Sequence, residues 1–300
     1  MAVHSAHTLS ALFQSRSMMA FIRFAPASVS AMVMHGLGWL YHFFNTAERR
    51  TIRRNVADFA RPLGIRSTFD LSELARQGMY EHYFEKMLVA SKPRSYIERY
   101  VRKRAVFNHE SILKDALSRG KGVVMVTAHW GAIELLPVLL RLRGYPVSVI
   151  LETSTPLLSA TLERLASGSD VELIIESTGA RVLESALSAL ARGRILITQC
   201  DEVDTWRRRK SKTIKLFGRD LYFDHTIDFI ANRTDAAVVG LFCKRLASRR
   251  YRFTAEPIAL SGKGADAASK SLVLWEKYVK ENPEQWYQWK KWAAMLPEAS

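Results

Sequence analysis

A chain of 300 residues is long enough to bury one large core, and a 48% hydrophobic content supplies the side chains for it. Lys and Arg number 44 against 29 Asp and Glu, and the resulting +15 argues for a polyanionic partner: nucleic acid, an anionic membrane surface, a phosphorylated lipid or an acidic carrier protein. The two cysteines, Cys200 and Cys243, sit inside apolar runs and read as reduced, packed thiols, which excludes a disulfide scaffold and leaves no metal-ligand spacing.

In chain order, residues 1–17 read as a mobile tail. From Phe24 to Phe44 no Asp, Glu, Lys or Arg occurs, and Met, Trp, Tyr and Phe crowd the second half. The stretch is long enough to cross a bilayer, although Pro26, Ser28, Ser30, His35 and His42 dilute it. Two readings stay open, a buried core helix and a membrane-associated helix that is inserted or lies in the interface. The basic flank Arg49, Arg50, Arg53 and Arg54 favours the second, at the cytoplasmic face. Residues 1–45 are accordingly set apart from a domain spanning 46–300.

Helical patterns follow at Ala47–Ala60 and Leu71–Val89, then a basic, solvent-facing stretch at Tyr96–Arg104 and a helix at His109–Arg119 stopped by Gly120. Strands at Val123–Thr127, Val147–Leu151, Val171–Ile175 and Ile195–Thr198 alternate with helices at Ala132–Arg143, Leu157–Ala166 and Ala180–Ala191. A helix at Thr226–Arg233, strands at Ala237–Cys243 and Tyr251–Pro257, and a helix at Ala267–Lys280 close the chain. This alternation predicts an α/β fold: a mostly parallel sheet flanked by helices, with an N-terminal membrane-associated helical segment.

Chemistry concentrates where the first of these strands ends. His129 falls on the strand-to-helix turn, at the carboxyl end of a strand, where open α/β sheets place their ligands. Glu134 follows in the next helix, from which its carboxylate can swing back under the imidazole. An acid on one ring nitrogen fixes the tautomer and raises the basicity of the other, as a general base requires. A His–Glu hydrogen bond that only holds a helix start is the alternative.

These residues, taken with others in order, resemble the bacterial lipid A biosynthesis acyltransferases, the lauroyl and myristoyl transferases of the lysophospholipid acyltransferase-like superfamily. The resemblance runs from about residue 20 to residue 296. It rests on the apolar N-terminal helix, the segment Arg49-Arg50-Thr51-Ile52-Arg53-Arg54-Asn55, and the HX4E pair His129 and Glu134. It continues through the strand ending at Asp201, the Phe217-Gly218-Arg219 turn, Asn232-Arg233-Thr234, and Pro283-Glu284-Gln285-Trp286-Tyr287. Two departures stand out. Trp130-Gly131-Ala132-Ile133 replaces the usual Gly-Asn-Trp-Glu-like run, and Leu151-Glu152-Thr153 stands where an Arg commonly follows the second strand; Arg164 is the substitute for that Arg.

The resemblance implies transfer of a fatty acyl group from acyl carrier protein or coenzyme A to a hydroxyl or amine of a lipid or glycolipid at the inner membrane. The thioester is a co-substrate, so no cofactor or metal is expected. His129 is then the general base and Glu134 its orienter. The N–H groups of Trp130 and Gly131 are expected to face the developing oxyanion, with Gly131 admitting substrate closely, or else serving only as a helix-start glycine. Asp201 matches the family's second acidic position and would orient the acceptor or His129, or be a structural carboxylate. Arg207, Arg208 and Arg209 would meet a phosphorylated headgroup or an acidic carrier. The aromatic C-terminus reads either as an interfacial belt or as packing onto the core. The rivals are a glycerolipid acyltransferase and a non-enzymatic basic protein binding nucleic acid or anionic membrane. No nucleic-acid-binding signature accompanies the charge, so nucleic acid is not expected among the partners.

Overall fold

Val123, Val124, Met125 and Val126 are all enclosed, as a strand covered on both faces requires. The computed structural model describes residues 8–151, 156–167, 170–175, 181–202, 212–261 and 266–297. Within them lie β1 (Ala105–Asn108), β2 (Val123–Thr127), β3 (Val147–Leu151), β4 (Val171–Ile175) and β5 (Ile195–Gln199). They are followed by β6 (Lys212–Leu216), β7 (Arg219–Phe223), β8 (Ala237–Leu246) and β9 (Arg250–Pro257). Seven of them form one sheet in the order β1-β9-β8-β2-β5-β3-β4. From β8 to β4 every neighbouring pair is parallel. β9 runs antiparallel to β8 and carries β1 parallel to itself at the edge. The expected mostly parallel sheet is therefore present, with two strands reversed at one side.

Side chains alternate between the two faces of the sheet with the period of two that strand geometry imposes. Val124, Val126 and Leu196 enter one core, and Val123, Met125, Ile195 and Ile197 enter the other. The helices are α1 (Leu9–Phe13), α2 (Arg16–Phe24), α3 (Ala27–Phe44), α4 (Thr46–Ala60), α5 (Thr68–Ser91), α6 (Arg94–Arg104) and α7 (Glu110–Leu117). After them come α8 (Leu136–Leu142), α9 (Pro156–Ala166), α10 (Arg181–Ala191), α11 (Thr226–Thr234), α12 (Ala267–Glu281) and α13 (Trp292–Met295). Side chains of α5, α6, α7 and α8 fill the core on the Met125 side, and those of α4, α10, α11 and α12 fill the other.

The structure corrects several local expectations. The segment read as a tail holds α1 and the start of α2, because Leu9 and Phe13, with Ile22 just beyond, find buried places. β1 extends the sheet beyond the basic stretch, which is α6. β6 and β7 form a separate hairpin closed by Phe217 and Gly218, whose φ angles of 53° and 72° suit a two-residue hairpin turn. The C-terminal aromatics pack inward: Trp275, Trp286, Trp289 and Trp292 are all fully enclosed.

α3 is two-sided. Ser30, Ala31, Met34, Gly38 and His42 are buried, and the helix packs along α5. Gly38 allows this closeness, because a Cβ there would lie 2.6 Å from the Tyr80 ring. The other side leaves Trp39 58% and Phe44 75% exposed, with Met32 and Phe43 also open. Among the described residues no helix is long and apolar enough to cross a membrane.

Candidate active site

β2 and β5 are neighbours in register, with Thr127 opposite Gln199. Two residues beyond those strand ends stand His129 and Asp201, side by side. The imidazole Nδ1–H donates to Asp201 Oδ1 at 3.0 Å, and the His129 backbone N–H donates to both carboxylate oxygens at 3.1 Å. Trp286 Nε1–H completes the set, donating to Asp201 Oδ2 at 2.7 Å. Burial opposes the imidazolium, yet the charge and hydrogen bond of Asp201 more than offset it, so the His129 pKa rises above its ordinary value. Burial likewise opposes the Asp201 carboxylate, and His129 with the Trp286 donor outweighs it, so that carboxyl titrates below its usual range.

A cavity of about 470 Å³ opens beside this pair, on the Met125 side of the sheet. Its floor is Val149, Leu151, Val171, Leu173 and Ile197 from β3, β4 and β5, an apolar run continuous with His129 at one end. Met79, His82 and Tyr83 of α5 form one wall, and Ile133, Glu134, Pro137 and Val138 form another. Tyr287, Gln288, Lys290 and Lys291 close it from the C-terminal segment. An apolar arm leading to a few convergent polar groups is the usual build of a ligand site.

Residues 4–292 match the family described as bacterial lipid A biosynthesis acyltransferase. The chain belongs to this family. It is an acyltransferase, an enzyme that moves an acyl group from a donor to, in this family, a lipid acceptor. A comparison with curated proteins found no match.

With the acyltransferase site laid out, the expected residues sort into three groups. His129 and Asp201 are brought together. Glu134 lines the same cavity but does not hold the His129 ring: its Oε1 lies 3.6 Å from Nδ1 of His82, and the carboxylate on His129 Nδ1 is that of Asp201. The third group, Trp130 and Gly131, does not line the cavity. Trp130 is fully enclosed and donates Nε1–H to the Asn282 carbonyl at 3.0 Å. Its backbone N–H goes to Ala128 O at 2.6 Å, that of Gly131 to Gln285 O at 2.9 Å, and that of Ala132 to Cys243 O at 3.0 Å. The turn therefore offers no free amide to an oxyanion. Gly131 is needed for another reason: its φ is +64°, and a Cβ would overlap the Cys243 carbonyl oxygen. Arg207, Arg208 and Arg209 lie outside the described residues, as does the side chain of Arg164, whose backbone belongs to α9.

Sequence reasoning missed His82, Tyr287 and Trp286 as parts of the site. The segment 285–287 pairs antiparallel with 129–131, through Gly131 N–H to Gln285 O and Tyr287 N–H to His129 O at 3.1 Å. The Pro283-to-Tyr287 motif is thus the other half of the His129 turn. Arg245 braces it, forking onto Glu85 with Nε and Nη2 at 3.0 Å and donating from Nη2 to Gly131 O at 2.6 Å.

Proposed function

We propose that the enzyme moves a fatty acyl group from an acyl thioester, carried by acyl carrier protein or coenzyme A, to a hydroxyl or amine of a lipid or glycolipid, with His129 as general base oriented by Asp201. The observation that carries this reading is the His129–Asp201 hydrogen bond at the head of an apolar cavity. With its Nδ1 proton committed to Asp201, the ring keeps Nε2 for the acceptor. As the acceptor oxygen attacks the thioester carbonyl, Nε2 takes its proton. The tetrahedral oxyanion collapses, the C–S bond breaks, and the imidazolium returns the proton to the leaving thiolate. No covalent enzyme intermediate is needed. Such proton transfer contributes about 10²–10⁴-fold, and alignment of the two substrates supplies much of the rest. Because the turn amides are spent, charge on the oxyanion is met by side chains of the cavity wall, Lys291 and Gln288 foremost.

Residues 1–45, as a segment, fit the membrane side of this reading. The open aromatic face of α3 and the exposed Arg50, Arg53 and Arg54 of α4 suit a helix lying in the interface against anionic headgroups. On this reading the domain 46–300 sits at the cytoplasmic face of the inner membrane and works without a cofactor or resident metal. The deciding experiment is an assay of purified protein with both donor types and membrane lipid extracts, read by mass spectrometry. Acyl transfer is expected from the native enzyme, with His129→Ala lowering turnover at least about 10²-fold. Full turnover by that variant, equally folded, removes His129 from its role.

A further inference from the structure

His82 lines the cavity and has no part in the proposed mechanism, and its surroundings are specific. Its ring stacks on Tyr287 at 3.7 Å between centroids and 12° between planes, and Tyr287 in turn meets His129 edge to face at 5.6 Å. The two imidazoles are thus linked through one phenol ring. Nδ1 of His82 is buried and makes no hydrogen bond among the described residues. The Glu134 carboxylate oxygen stands 3.6 Å away, just beyond direct hydrogen-bond reach, so the two groups present polar atoms to the same point of the cavity.

We propose that His82 and Glu134 form a second polar station in this cavity, which holds a neutral hydroxyl of a substrate beside the His129 base. The inference rests on the acyl-transfer reading. Burial, with Lys86 and Arg245 nearby, keeps His82 uncharged. A neutral imidazole offers one N–H and Glu134 only lone pairs, so a hydroxyl fits both: it accepts from His82 and donates to Glu134. Glu134 repels a phosphate or carboxylate at this point, and the neutral His82 ring brings no charge to offset that. The hydroxyl belongs either to the acceptor or to a substituted acyl chain, since both substrates must converge near His129.

The test uses the full-length enzyme and the variants Glu134→Gln, His82→Phe, which keeps the stacking ring, and His82→Asn, which restores a donor. Melting temperatures establish folding, and Glu134, on the cavity rim, tolerates an isosteric amide. Donors are dodecanoyl-CoA and 3-hydroxydodecanoyl-CoA, and the acceptor is a titrated membrane glycolipid extract. One lost hydrogen bond to a charged group predicts a KM about tenfold higher or more for the substrate bearing the hydroxyl, with kcat and the acid limb of the pH profile nearly unchanged and partial rescue by His82→Asn. A rise in the extract KM with both donors assigns the hydroxyl to the acceptor; a rise confined to 3-hydroxydodecanoyl-CoA assigns it to the acyl chain. The proposal is overturned if neither KM moves, or if Glu134→Gln abolishes turnover and shifts the acid limb as Asp201→Asn does. Absence of transfer by the native enzyme with every donor would instead sink the acyl-transfer reading itself.

Discussion

As the proposed base, His129 can work only while uncharged, and its contact with Asp201 bears on the pH at which that holds. Because the carboxylate raises the imidazole pKa above the ordinary value near 6.5, kcat/KM is expected to fall on acidification through an apparent pKa above about 6.5. In Asp201→Asn the raising charge is gone while burial still opposes the imidazolium. The acid limb therefore moves to lower pH as the rate drops, and a limb that stays in place would show that Asp201 does not tune the ring. A second expectation concerns Gly131. Gly131→Ala forces a side chain into the left-handed region and onto the Cys243 carbonyl, at a cost of about 3 kcal/mol or more, visible as a lowered melting temperature. The position of His129 was legible because a histidine after an apolar strand falls at the sheet's carboxyl edge. Its partner was not. Proximity along the chain suggested Glu134, whereas the sheet order puts β5 beside β2 and delivers Asp201 from 72 residues away. Once that adjacency is known, equal overhangs from Thr127 and Gln199 identify the pair.

At the scale of elements, the brace joining α5 to β8 deserves a direct test. Glu85 and Arg245 are enclosed together, and removing one leaves the other's charge buried alone. Glu85→Ala is expected to cost about 3–5 kcal/mol, measured by denaturant unfolding, and to loosen the Gly131 turn that Arg245 holds. A cost below about 1 kcal/mol would mean that water reaches Arg245 and that the brace is dispensable. The parallel strands and long helices were readable in advance, because buried strands are continuous apolar runs and helices repeat every three to four residues. β1, β6 and β7 escaped for the opposite reason: their side chains are mostly exposed or half-buried, so no hydrophobic alternation marks them.

For the whole molecule, the membrane reading proposed above has the +15 charge and the aromatic face of α3 meet the same anionic surface. Replacing Trp39 and Phe43 with Ser is expected to weaken binding to vesicles containing anionic lipid by about tenfold or more, from roughly 1.5–3 kcal/mol per buried large side chain, while leaving the melting temperature nearly unchanged. Raised salt should weaken the native protein's binding as well. Co-sedimentation measures both, and equal binding by the variant would move the contact to another face. The pairing of segment 285–287 with the His129 turn carries a consequence for biosynthesis. A nascent polypeptide exposes the base long before Tyr287 and Lys291 emerge from the ribosomal tunnel. Until then one side of the cavity is missing, so a folding chain completes the His129 site only when these late residues dock.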